Sequence, residues 1–552
     1  MERYLRFLKQ WRMVIILSAV LILITSVPYL YGYFRTPRGS TYTGLHAMTP
    51  GDFHVYYSQM RLAREGNMST SNPYAGIDGI GSVSMINPFW YALGTVARFT
   101  HLSLPLVFHL ARIILIPALV IVVHQLIYFF LPSAFRRVAM GMVMFCSGIG
   151  YFVYPFIVPG PERPHIYAWP LDIWVPESNT FLTLFHSPHL LASLILFLFI
   201  LVAFLKSLVS LRPWGWQVGA GLSAAALGYF HPFHLLTLAV VLLVWTVILG
   251  SRVRSRTFAS ITIIGLMASP SIWWHAARAA HDWATMEWAR SNITLTPPLW
   301  TVATAYGLLI PCAVAGAYFL VLSQRALRVP DRASHIQHTS LWLLLSWWCV
   351  HFVLIYSPLI IQRRLIEGMH VPLALLAGVG MVWFKNFLDA KREWPFFVRT
   401  ALIAGTWLVL ISSTLGTVSR DFALFYYQER RFYLSSDLKK VFQKLHNQGD
   451  RSGVVLAGYT SSNYIPAWTG RTVYGTPGGA HSPLFEEVRR PMISWFIAGK
   501  GSVSQRRRFL QRERITAVVV GPMDGLDASA LSSDSLLVLQ FAHDGTFLYF
   551  VR

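Results

Sequence analysis

The segment Thr49-Pro50-Gly51-Asp52-Phe53-His54-Val55-Tyr56-Tyr57, running on to Arg64-Glu65-Gly66, sets a carboxylate, an imidazole and two phenols close together. A helix is predicted here. Thr49 suits the N-cap, Pro50 the first helical position and Gly66 the C-terminal stop. Phe53, Tyr56, Tyr57 and Met60 fall on one stripe at helical spacing. Asp52 then has two readings. Thr-Pro-Gly-Asp fits the [ST]-x-x-[DE] pattern, which makes Asp52 a capping-box acid. Held at a membrane surface, the same carboxylate can take a proton from a hydroxyl, with His54, Tyr56 and Tyr57 beside it to contact substrate.

Two further stretches carry chemistry. Trp169-Pro-Leu-Asp172-Ile-Trp174-Val-Pro-Glu177-Ser-Asn-Thr-Phe181, followed by His186-Ser-Pro-His189, mixes carboxylates, histidines and tryptophans. Aromatic faces are sugar platforms and carboxylates orient hydroxyls. The alternative is an interfacial aromatic belt, with His186 and His189 capping the next span. No third ligand accompanies those histidines, so no metal site is indicated. The second stretch is Tyr356-Ser-Pro-Leu-Ile-Ile-Gln362-Arg363-Arg364-Leu-Ile-Glu367-Gly368-Met-His370. The planar donor forks of Arg363 and Arg364 suit phosphate oxygens, or else a structural salt bridge to Glu367. His231 and His234, flanking Pro232 between two apolar runs, read as helix-terminus residues.

The elements that position these residues are apolar spans. A hydrophobic fraction of 54% against 13% charged residues in 552 excludes an ordinary soluble enzyme. Spans are predicted near 13–34, 104–130, 138–158, 188–206, 214–231, 233–249, 257–274, 299–322, 339–356, 371–388 and 399–419, about eleven in all. The first is an anchor rather than a removed signal peptide, since no small-residue cleavage site follows it. Cys146, Cys312 and Cys349 all fall in apolar runs, so no disulfide framework is indicated.

The net charge of +22 is read as topology rather than nucleic-acid binding. If 86–100 lies in the interface, the clusters Arg136-Arg137, Lys206/Arg212, Arg252/Arg254/Arg256, Arg325/Arg328/Arg332 and Lys385/Lys391/Arg392/Arg399 all become cytoplasmic with the N-terminus. The loops 35–103, 159–187, 275–298 and 357–370, and everything beyond about 420, then face the other side of a plasma (inner) membrane. That places any chemistry outside.

Beyond the last span, helices at 437–445, 485–497 and 504–512 alternate with short apolar strands at 453–457, 515–520, 536–541 and 547–551. The division is a transmembrane domain at 1–419 and an extracytoplasmic α/β domain at 420–552. No glycine-rich phosphate loop follows either early strand. Gly475-Thr-Pro-Gly-Gly479 reads as a structural turn, and Gln505-Arg506-Arg507-Arg508 as a solvated helix face or a contact to lipid phosphates.

A long first external loop with an acid near its start, Tyr-rich sequence, an Asn-Pro-Phe interfacial helix, many spans and a terminal external domain together resemble the GT-C superfamily of polyprenyl-phosphate-dependent glycosyltransferases. That group includes the protein O-mannosyltransferases, aminoarabinose transferases and oligosaccharyltransferases. The resemblance covers the whole architecture, with specific motifs at 50–66, 86–98 and 361–372. It implies Asp52 as the catalytic acid and Arg363 and Arg364 near the donor phosphate. Asp172, Glu177, His186, His189 and Glu367 would join His54, Tyr56 and Tyr57 as substrate contacts. The implied partners are a polyprenyl-phosphate-sugar donor, a glycan, lipid or protein acceptor, and membrane lipids, with no nucleic acid. Family members often carry a second acid two residues after the first. His54 stands there instead, so no cofactor follows from the resemblance and a divalent metal of the oligosaccharyltransferase kind stays open. A transporter of lipid-linked saccharides expects acids inside spans and two related halves, neither of which the sequence displays. A scaffold leaves the polar first loop and the Arg363-Arg364 pair without a role.

Overall fold

The computed structural model describes residues 2–48, 50–67, 72–79, 87–157, 168–248, 251–281, 293–325, 332–448, 452–475 and 485–552. Thr49, residues 476–479 of the glycine-rich turn and residues 282–292 of the 275–298 loop lie outside them.

Among the described residues six helices are long and apolar enough to cross a membrane: Trp11–Phe34, Leu104–Phe130, Ser133–Phe156, Pro188–Val209, Arg254–His281 and Gln362–Ala390. Two more arise if each bent pair is one span. Leu299–Tyr306 with Leu309–Ser323 bends by 74°, and Phe396–Leu410 with Ser412–Tyr426 by 57°. The chain is a multi-pass membrane protein with six to eight candidate spans, against about eleven expected. The difference has a simple cause. Trp214–Phe230 and Phe233–Ile248 have only 17 and 16 residues, and the apolar part of the helix Arg332–Leu354 is only Leu341–Leu354. All fall short of the roughly 20 residues that a bilayer core asks for. The expected interfacial segment is the helix Pro88–Thr100, whose 13 residues are too few to cross. Asn87 caps it, its side-chain oxygen accepting from the Phe89 N–H at 3.0 Å.

Two compact units divide the chain. One holds Met1–Pro28, Leu110–Trp274 and Thr294–Phe422; the other holds Tyr29–His109, His275–Ile293 and Ala423–Arg552. The linear division at 419/420 therefore differs from this one, in which the first loop clusters with the C-terminal region.

In the first unit the helix His370–Ala390 is continuously buried from His370 to Met381, as an all-apolar stretch must be. Small residues let its neighbours approach. A Cβ at Gly380 would strike the Cys312 carbonyl, and one at Gly378 would meet the Ala139 backbone at 2.5 Å.

Among the described residues the second unit contains six strands: β1 (Thr41–Tyr42), β2 (Tyr433–Leu434), β3 (Val454–Ala457), β4 (Ile515–Val520), β5 (Leu537–His543) and β6 (Thr546–Val551). β1 and β2 pair antiparallel, tying the first loop to the C-terminal region. The other four form a sheet in the order β3-β4-β6-β5, with β3 and β4 parallel and the other pairs antiparallel. Alternation along the strands feeds two cores. Val454, Leu456, Val518 and Val520 pack with Ile493, Phe496 and Phe509, whereas Val455, Ala457, Ala517 and Val519 pack with Leu438, Val441 and Tyr464. Helices thus cover both faces. The β5–β6 turn uses Asp544 and Gly545 at positive φ, as a tight hairpin requires. On the helix Val503–Arg512, Arg507 and Arg508 are exposed, but Arg506 is buried and pairs with Asp534 at 2.7 Å.

Candidate functional site

In the first unit, the span Gln362–Ala390 begins with a 3₁₀ turn, Gln362–Ile366, that carries Arg363 and Arg364. No regular ladder pairs this turn, so local bonds fix it. The Arg363 N–H donates to the Thr294 carbonyl at 3.0 Å, and the Thr294 N–H to the Ile360 carbonyl at 2.8 Å. The Gln362 amide donates to the Ser357 carbonyl at 2.6 Å and accepts from the Thr296 N–H at 3.1 Å. Both arginines are half-buried. The Arg363 guanidinium sits 4.4 Å over the Trp174 ring, and that of Arg364 5.5 Å over Phe233. Aromatic faces hold planar cations in a fixed orientation without neutralising them.

A histidine cluster adjoins the turn. His231 ends the helix Trp214–Phe230 and His234 lies in the first turn of Phe233–Ile248. Their rings stack at 5.0 Å, and His189 stacks on His231 at 5.2 Å. Nδ1 of His189 lies 2.6 Å from the Ser187 hydroxyl. Glu367 reaches the same place, with Oε2 2.7 Å from Nε2 of His234. Gly368 follows at φ +89°, where only a glycine turns the chain without strain. Glu367, His234 and His370 are each 1% exposed. Glu367 thus lies against His234, a residue the sequence read only as a helix end.

The second loop packs onto the same turn rather than forming an open platform. Trp174 is buried under Arg363, and its indole N–H donates to the Trp169 carbonyl at 3.2 Å. Asp172 is 1% exposed, and its Oδ2 accepts the N–H groups of Gly148 and Gly150 at 3.1 and 3.2 Å. A Cβ at Gly150 would collide with the carboxylate. Burial pushes the Asp172 carboxyl up to about 7, partly offset by the hydrogen bonds it accepts. Glu177 is half-buried on the turn Pro176–Ser178. His186 is buried, which pushes its pKa down to about 3, so it is a neutral ring at pH 7.

In the second unit, Asp52 lies in the first turn of the helix Pro50–Arg64 and is half-buried. Phe53, Tyr57 and Met60 are the core-facing stripe, as their spacing predicts. His54 is buried, its ring centroid 4.1 Å from that of Tyr464, and burial pushes its pKa down to about 3. Tyr56 is half-buried and stacks on Trp90 at 4.6 Å. Among the described residues, the acidic, histidine and cysteine side chains that converge closely enough to hold a metal ion are His231, His234 and Glu367. Asp52 and His54 are not part of such a group.

No family model matches the chain, and no curated protein matches it. Solved structures do. An archaeal oligosaccharyltransferase, AglB from Archaeoglobus fulgidus, is 13% identical and covers 98% of this chain and 74% of its own, with a TM-score of 0.53. The mycobacterial arabinofuranosyltransferase AftD is 14% identical over 98% of this chain, with a TM-score of 0.52. This chain spans 40% of the AftD chain. The chain has the GT-C glycosyltransferase fold. ArnT from Cupriavidus metallidurans is 12% identical over 97% of this chain and 98% of its own, with a TM-score of 0.46.

Within the GT-C fold, the first unit assembles the arginine pair, Trp174, three histidines and Glu367 from segments far apart in sequence. The His-Pro-Phe-His spacing was the one available signal for His231 and His234. It places both rings at one helix junction, but it does not reveal Glu367 as their partner.

Proposed function

We propose that the protein is an integral-membrane glycosyltransferase. It moves a sugar from a polyprenyl-phosphate-linked donor to an acceptor hydroxyl on the extracytoplasmic face. The observation that carries this reading is a GT-C fold along 98% of the chain, shared with a transferase solved in complex with a dolichol-phosphate. The half-buried Arg363-Arg364 pair supports it. Two guanidinium forks, held against aromatic rings at the start of a span, suit a lipid phosphate at headgroup depth.

The reaction is a displacement at the anomeric carbon. Asp52 accepts the proton of the acceptor hydroxyl while its oxygen forms the new glycosidic bond. The bond to the lipid phosphate breaks, and the arginines stabilise the departing phosphate. The C-terminal domain holds the acceptor. The donor chemistry needs no nucleotide, in keeping with a C-terminal sheet that lacks a glycine-rich phosphate loop. The transporter reading gains no support from the fold neighbours, which are transferases.

The test offers radiolabelled polyprenyl-phosphate sugars and a mixed acceptor pool to detergent-solubilised protein. Wild type is expected to transfer sugar, and Asp52→Asn to lose transfer by at least about 100-fold at unchanged thermal stability. An active Asp52→Asn enzyme would remove Asp52 from this role.

A further inference from the structure

The burial of Glu367 is unexplained by the transfer chemistry. A carboxylate 1% exposed beside two buried histidines needs either a cation or a proton to neutralise it. His234 supplies the right distance, 2.7 Å from Nε2 to Oε2, for a simple ion pair. It does not supply the right direction. Neither ring nitrogen of His234 and neither carboxylate oxygen of Glu367 has an aligned hydrogen-bond partner among the described residues. Polar atoms this close but not aligned for a hydrogen bond leave room for a shared third partner.

His231 shares that point. One ligand atom from each of His231, His234 and Glu367 lies within 4.8 Å of the others, and all three residues are buried. Ligand atoms about 2.1 Å from a tetrahedral ion are about 3.4 Å apart, a spacing that these distances bracket. The backbone around them is fixed in ways that suit a preformed site. Nε2 of His351 lies 3.0 Å from the Glu367 carbonyl, and His231 closes its helix by donating its N–H to the Leu227 carbonyl at 2.7 Å. Two imidazoles and one carboxylate are a ligand set for a borderline-soft divalent ion, not for magnesium or calcium.

We propose that His231, His234 and Glu367 bind a zinc-class divalent metal ion. The ion pins the 3₁₀ turn of Arg363 and Arg364 to the junction of two helices, and it leaves a coordination position for water or an oxyanion. The proposal does not rest on the transferase reading, because binding is measured without turnover.

The experiment uses the full chain in detergent with any affinity tag removed. The metal-free protein is titrated with Zn²⁺, Co²⁺ and Mg²⁺ alone. Readouts are metal content by mass spectrometry, the visible absorption of bound Co²⁺, and the unfolding temperature. Wild type is expected to take up about one Zn²⁺ or Co²⁺ per chain, to show a tetrahedral Co²⁺ spectrum and to unfold at higher temperature with Zn²⁺. Mg²⁺ should do none of these. His231→Ala is the informative variant, because it leaves the His234–Glu367 pair in place while removing one ligand. Its affinity should fall by more than the roughly 10-fold that the loss of an outer partner costs, and Glu367→Gln should behave alike. Absence of stoichiometric uptake by wild type would overturn the proposal. So would uptake unchanged in a folded His231→Ala protein.

Discussion

Asp172 illustrates how a single buried carboxylate can report on the folded state. Burial raises its pKa from an ordinary 3.8 to about 7, although two glycine N–H groups point at it. The sign of its pH effect follows. Between about pH 4 and pH 7 the folded state holds a proton that the unfolded state has lost, so stability falls as pH rises through that window. The contribution is full below the unfolded value and lost above about 7. Asp172→Asn keeps an oxygen for both glycine N–H groups but cannot ionise. Its unfolding temperature is expected to decline less than that of wild type between pH 5 and pH 8, by an amount corresponding to a few kcal/mol at most. Parallel profiles for the two proteins would mean that Asp172 is ionised throughout.

At the scale of elements, the helix Pro50–Arg64 is held by two neighbours within its unit. Tyr56 stacks on Trp90 of the helix Pro88–Thr100, and His54 packs on Tyr464 of the helix Tyr459–Thr469. The first contact is close because Gly94 has no side chain. A Cβ there would collide with the Met60 carbonyl and approach Ala63 within 2.6 Å. Gly94→Val is therefore expected to push the two helices apart, to cost about 1–3 kcal/mol of stability, and to lower transfer by displacing Asp52. Thermal unfolding together with the transfer rate checks this. A variant with unchanged rate and melting temperature would show that the helix spacing does not set the position of Asp52.

For the whole molecule, orientation in the membrane decides where the chemistry takes place. Much of the net charge of +22 lies in short loops between spans, which favours a cytoplasmic N-terminus, with the loops of Asp52, Asp172 and Arg363 outside. A reporter phosphatase that works only outside the cytoplasm is expected to be active when fused after Arg552, and inactive when fused after Arg137. The reverse pattern would turn the molecule over and move the acceptor to the cytoplasm. The same experiment bears on the span count, since helices of 16 and 17 residues cross only where the bilayer thins or a partner covers them.

The sequence by itself determined the class of molecule, its succession of apolar helices though not the number of spans, the helix that carries Asp52 with its core stripe, and the strands of the C-terminal sheet. These are local properties. Helical and strand periodicity and apolar run length are written in neighbouring residues. It also led to the GT-C resemblance, which the solved structures bear out at the level of fold. What it did not determine was which polar groups are buried together. His231 and His234 look like helix ends until Glu367, far along the chain, is folded against them. His54 looks like a neighbour of Asp52 on a polar loop until Tyr464 covers it. Trp174 looks like a sugar platform until Arg363 lies across it. Each of these pairings closes over a long stretch of chain, and nothing in a local window encodes which distant side chain will supply the burial, the charge or the ligand. Tertiary packing decided them.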